Sequence, residues 1–214
     1  MRFGSSKIFL ISECLLLFLG IPLLFLSVIP LRGLFALIWL AMIYTSVILS
    51  RGYGMKFSMM WQSQALTRAN IIPILRRFII SAAAIATYVV LVEPERLFGF
   101  VATKPIIWAL VMLIYPLLSV IPQEVIYRAF FFARYRPLFS SDKIMILMSA
   151  LAFGFAHVVF NNMLAPLFCL IGGYYFSLTY QRTRSLALVW FEHSLYGCFI
   201  FTIGLGWYFF HGAH

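Results

Sequence analysis

Acidic residues are nearly missing from this sequence: six Asp and Glu stand against 16 Lys and Arg in 214 residues. Charge of either sign is scarce, at 10%, while 64% of residues are hydrophobic and the mean hydropathy is +0.99. Soluble domains are nearer half apolar and a quarter charged. The scarcity therefore excludes a water-soluble globular protein. No Ser/Gly/Pro-rich linker, low-complexity tract or charge run divides the chain, so 1–214 reads as a single transmembrane domain. No internal repeat is evident, which argues against an inverted-repeat transporter. There is no Gly-rich phosphate loop and no Cys-pair zinc motif. Cys14, Cys169 and Cys198 lie in apolar runs without metal-ligand spacing and read as packing thiols.

What is present is a series of long apolar runs. A helix needs about 20 residues to cross the hydrocarbon. Candidate spans cover 8–30, 34–50, 78–92, 106–132, 144–161, 164–181 and 186–210. The expected fold is all-α, a polytopic transmembrane helical bundle of about seven to eight spans. The run Ile8 to Ile29 follows Arg2 and Lys7 without a small-residue cleavage site, so it reads as an uncleaved first span rather than a signal peptide. The last run is long enough to break near Gly204 and Gly206. The fourth continues through Phe130, Phe131 and Phe132 to a stop at Pro137. Met55 to Leu75 reads as an interfacial amphipathic helix.

The net charge of +10 would suggest nucleic acid in a soluble protein. Here it reads as Lys and Arg held near anionic headgroups, so the expected partner is the lipid bilayer and not nucleic acid. With the N-terminus inside, Arg2, Lys7, Arg51, Lys56, Arg68, Arg76, Arg77, Arg134, Arg136, Lys143, Arg182 and Arg184 fall on the inner side. Only Arg32, Arg96 and Lys104 fall outside, along with Glu93 and Glu95. The positive-inside bias puts the N-terminus in the cytoplasm and leaves Arg128 alone in the membrane region.

Against this background Glu124 is the informative residue. An ionisable group inside a span is costly and marks a functional site when partners can be named. Arg128 is one helical turn away and can pair with it. His157 and His193 lie on two later spans. At 1.5 Å per residue Glu124 lies roughly 15 Å from the inner face, His157 roughly 20 Å and His193 roughly 12 Å, all in one slab. Asn161 follows His157 by one turn, and with Asn162 it also reads as a polar cap ending the span. Glu192 points about 100° away from His193; it is expected to pair elsewhere, with Arg182 or Arg184. His211 and His214 are expected at a solvent-facing tail.

These residue types suit hydrolysis. A carboxylate in apolar surroundings is a usable general base for water. A neighbouring imidazole can share that water and later protonate the leaving amine. A second imidazole or an amide can donate to the oxyanion. No Ser or Cys nucleophile has comparable polar company. The same three residues would also serve a transporter as a proton relay.

The order Glu124-x-x-x-Arg128, then Phe153-x-x-x-His157, then a late His193 resembles the CPBP family, the CAAX-protease and bacteriocin-processing group of intramembrane proteases. The resemblance covers about 106–200 as the catalytic core. It implies a glutamic-type peptidase with no cofactor and no metal, acting on a peptide or protein substrate at the membrane. The expected setting is integral in a bacterial inner (plasma) membrane, with cleavage near the cytoplasmic face. It also implies that glutamate and histidine activate water while a later histidine and an asparagine hold the oxyanion. Two positions depart from the family pattern. Gln123 stands where the first acid of a Glu-Glu pair is usual, and Gly197 where Asn or Asp usually closes the third motif. Either Glu124 takes the base role with a rearranged donor set, or the chain is a silent family member acting as a binding or immunity protein. Gln123 can still orient water or a carbonyl, and Asn161 is the candidate for the missing amide.

Overall fold

The computed structural model describes residues 6–27 and 33–209. Arg2 and Arg32 of the charge count, and His211 and His214 of the tail, lie outside the described residues. Seven long helices follow one another: α1 (Lys7–Leu26), α2 (Leu34–Tyr53), α3 (Arg68–Val92), α4 (Pro105–Arg134), α5 (Asp142–Phe160), α6 (Leu164–Thr183) and α7 (Leu186–Ile203). No strand occurs among the described residues. Six of the seven are long and apolar enough to cross a membrane. The expected span 164–181 is α6, which is long enough at 20 residues but is not among those six. The protein is an integral membrane protein with an all-helical bundle.

Local sequence accounts for the helix ends. Ser6, Ser141 and Ser185 cap α1, α5 and α7 by accepting backbone N–H groups of Phe9, Ile144 and Leu188. α7 stops at Gly204 and continues as a short 3₁₀ turn, Leu205–Tyr208, which is the break expected there. The interfacial helix expected over Met55 to Leu75 is not formed. Phe57–Trp61 makes a short helix, and the remainder from Arg68 onward is the first part of α3. Arg68, Arg76 and Arg77 are few enough for the apolar stretch behind them to carry that helix as one piece.

α4 is irregular where prolines fall. Pro116 opens a π-helical stretch, Pro116–Val120, and a second one spans Val125–Phe130. Pro122 has no N–H to bond the Leu118 carbonyl, and the Trp39 indole takes that carbonyl at 3.0 Å. Such irregular turns re-aim side chains and often occur at functional sites.

Close packing of α5 on α6 depends on small residues. A Cβ on Gly173 would lie 3.0 Å from the Phe153 ring and 3.3 Å from the Ala150 backbone, so glycine permits this approach. Two ion pairs, one buried and one half-buried at its arginine, tie distant helices. Arg134 of α4 donates to Glu13 of α1 at 2.8 Å, with Tyr44 and Tyr135 also donating to that carboxylate. Arg134 is therefore buried, not solvated in an inner loop. Arg77 of α3 donates to Glu192 of α7 at 2.8 Å, and Thr179 of α6 donates to the other oxygen at 2.5 Å. Glu192 thus pairs with Arg77 and Thr179, and not with Arg182 or Arg184. Its helix face points away from His193, and α3 and α6 are what lie on that side.

Candidate active site

Pro122 and the π-helical turn after Glu124 set the α4 side chains into the bundle, and Glu124 is 1% exposed. Its Oε1 accepts a hydrogen bond of 2.7 Å from Nδ1 of His193 on α7. His193 is 6% exposed and its ring stacks on Phe176, with centroids 4.5 Å apart. The other ring nitrogen, Nε2, meets the Tyr115 hydroxyl at 3.0 Å. A carboxylate, an imidazole and a phenol therefore form one chain across α4 and α7.

Arg128 lies on the opposite side of the carboxylate. It is fully buried, and its Nε is 3.2 Å from Oε2 of Glu124. The charges are in contact but not aligned as a hydrogen bond. Nη1 donates to Oγ of Ser149 at 2.9 Å and to the Tyr127 carbonyl at 3.2 Å. The guanidinium also sits over the Phe153 ring, 5.0 Å from its centroid. Ser149 and Ser177 are buried at 3.2 Å from each other. A serine with polar company does exist, then. Ser149 gives its own proton to the Tyr127 carbonyl and supports Arg128, with no base beside it.

A cavity of about 1180 Å³ opens against this cluster. Gln123, Tyr115, His157, His193 and Gly197 line it, whereas Glu124 does not. His157 begins the 3₁₀ turn that ends α5, and its Nδ1–H donates to the Phe153 carbonyl at 2.8 Å. That bond selects the tautomer with the lone pair on Nε2. The Phe153 ring makes edge contacts with both imidazoles, at 4.8 Å from His157 and 5.5 Å from His193. Gln123 donates to Oγ of Ser119 at 2.8 Å, while its amide oxygen, also buried, makes no hydrogen bond.

Asn161 does not join these groups. The helix ends before it, and it takes a left-handed backbone, φ 54°, with its side chain exposed. The same-face spacing from His157 assumed a continuing α-helix, which the 3₁₀ turn breaks. Asn162 is the capping residue: its Oδ1 accepts from the Ala165 N–H at 2.8 Å, and its amide donates to the Tyr208 carbonyl at 2.8 Å.

The four helices α4 to α7 that build the cluster coincide with a known pattern. The family model described as Type II CAAX prenyl endopeptidase Rce1-like matches residues 105–199. This segment is Rce1-like. The match agrees with the resemblance to the CAAX-protease group, and it places Glu124, Arg128, His157 and His193 all within the Rce1-like segment. No curated protein and no solved structure matches the chain.

Tyr115 was not legible as a site residue. It ends an apolar run and is 78 positions from His193. The signal for it is Gly197, whose missing side chain leaves room for the phenol ring.

Proposed function

We propose that this protein is an intramembrane endopeptidase that hydrolyses a peptide bond near the cytoplasmic membrane face. The observation that carries the reading is the 2.7 Å contact between Glu124 and His193 on a cavity that also presents His157. A cavity water held by Nε2 of His157 loses one proton to that nitrogen as its oxygen bonds to the scissile carbonyl carbon. The C–N bond then breaks, and the leaving amine takes that proton from His157. Glu124 works through His193, because its two oxygens face His193 and Arg128 and its carboxylate stands off the cavity wall. It is the anionic partner that fixes the His193 ring at the cavity wall, in place of the direct contact with water that its position in sequence suggests. Arg128 positions Glu124 in turn. The Rce1-like match makes a prenylated C-terminal tail the substrate class to try first.

The test is cleavage of a peptide ending in a prenylated Cys-aliphatic-aliphatic-X tail by purified protein in liposomes, read by mass spectrometry. Unprenylated tail and an unrelated transmembrane peptide are the comparison arms. Cleavage by wild type but not by His157→Ala supports the reading; cleavage that His157→Ala leaves intact overturns it.

A second reading, a silent family member that binds without cleaving, is favoured by Gln123. It stands on the cavity where a carboxylate would be available to water, and it cannot ionise. If wild type cleaves nothing while Gln123→Glu cleaves the same peptide, this second reading holds.

A further inference from the structure

We infer that Tyr115 is a further catalytic residue of this site, its phenol O–H donating to the oxygen of the scissile carbonyl in space that Gly197 leaves open. The inference rests on the endopeptidase reading and names the atom that contacts the oxyanion.

Three observations converge. A Cβ built on Gly197 would lie 2.3 Å from both Cε1 and Oη of Tyr115 and 2.4 Å from Cζ. No real side chain tolerates such distances, so the present place of the phenol requires glycine at 197. Second, Oη is 3.0 Å from Nε2 of His193, whose Nδ1 is held by Glu124 at 2.7 Å. Both ring nitrogens of His193 are therefore engaged, and the hydrogen bond it can pass on to a substrate runs through Tyr115. Third, Tyr115 lines the same cavity as His157 and Gln123, and its ring is fixed by Phe201, at 5.5 Å between centroids.

The hydrogen positions follow from the donor inventory. In neutral His193 with its proton on Nδ1, the phenol donates to Nε2 and has nothing left for a substrate. When His193 carries both protons, Nε2–H donates to Oη and the phenol hydrogen turns into the cavity. That is the state the inference uses. As water adds to the carbonyl, the developing oxyanion accepts the phenol hydrogen bond. No proton leaves Tyr115, and the imidazolium beside the Glu124 carboxylate polarises the O–H. When the tetrahedral species collapses, the carbonyl re-forms and the amine departs with the proton held by His157. Donors placed for the transition state in a dry site act mainly on kcat.

The test uses the full chain in liposomes with the prenylated peptide. Tyr115→Phe keeps the ring that fills the space over Gly197 and removes only the O–H. Expected is a loss of about 10²–10³-fold in kcat, with KM within about threefold and unchanged thermal unfolding. A kcat within about threefold of wild type overturns the assignment. The second variant pair is Tyr115→Ala alone and together with Gly197→Asn, whose amide would enter the vacated volume. Recovery of about tenfold or more in kcat over Tyr115→Ala supports an oxyanion donor at this point. No recovery, with both variants folded, means the ring alone mattered and overturns it. A wild-type chain that cleaves nothing removes the endopeptidase reading and this assignment together. Wild-type cleavage retained by Tyr115→Phe removes this assignment only.

Discussion

Glu124 and Arg128 sit four residues apart on α4, both buried, with Nε 3.2 Å from Oε2 and neither charge in reach of water. Each makes the other tolerable. Removing one strands the other, and breaking a buried pair costs about 3–5 kcal/mol, more than such a pair contributes relative to an apolar replacement. Arg128→Ala should therefore lower the unfolding temperature in detergent sharply and reduce activity in step. Combining Arg128→Met with Glu124→Gln should restore much of the stability and none of the activity. If Arg128→Ala unfolds at the wild-type temperature, the pair is not the brace described.

Glu124→Gln keeps the side-chain volume and an amide oxygen beside Arg128, so the protein should still insert and purify, with an unfolding temperature below wild type because the buried guanidinium loses its counter-charge. Cleavage should fall by about 10⁴-fold, the loss found when a carboxylate that orients an active-site imidazole becomes an amide. A neutral amide can present its N–H to His193 and so reverse the hydrogen bond that orients the ring. Single-turnover cleavage on saturating peptide separates this from weaker binding. Full retention of activity would move attention to Gln123→Glu.

Cleavage should survive strong chelators, and the protein should purify without stoichiometric zinc. One Glu and two His can form an open zinc site elsewhere. Here the Glu124 oxygens are directed at His193 and Arg128, and Nδ1 of His157 is bound to its own helix. Among the described residues no three His, Cys, Asp or Glu side chains stand together as a ligand set. Loss of cleavage with chelator, restored by added zinc, would replace the proposed chemistry while keeping the peptidase.

The second buried pair predicts a different pattern. Arg134 and Glu13 join α4 to α1, and neither lines the cavity. Arg134→Ala should destabilise by about 3–5 kcal/mol. The fraction that remains folded should cleave with wild-type kcat. Active-site titration alongside thermal unfolding distinguishes the two effects, and a lower kcat per folded molecule would show that the α1–α4 contact reaches the site.

The apolar runs determined the helices by themselves, because a segment in lipid must satisfy its own backbone and so has few alternatives. Local spacing likewise determined the Glu124–Arg128 pair, and the glycines after α7 marked its end. What lay beyond reach were contacts between residues far apart in the chain: Tyr115 with His193 at a separation of 78, Arg77 with Glu192 at 115, Arg134 with Glu13 at 121. Periodicity gives the face of a helix, but the rotation of one helix against another decides which faces meet, and that depends on the packing of all of them. Asn161 failed for a local reason, since a 3₁₀ turn and a left-handed residue replaced the α-helix its spacing assumed. Gly197 could be seen in the sequence only as a missing side chain. Tertiary packing alone decided that the vacancy is filled by the Tyr115 ring, because two helices had to cross there before a phenol from one could occupy the space beside the other.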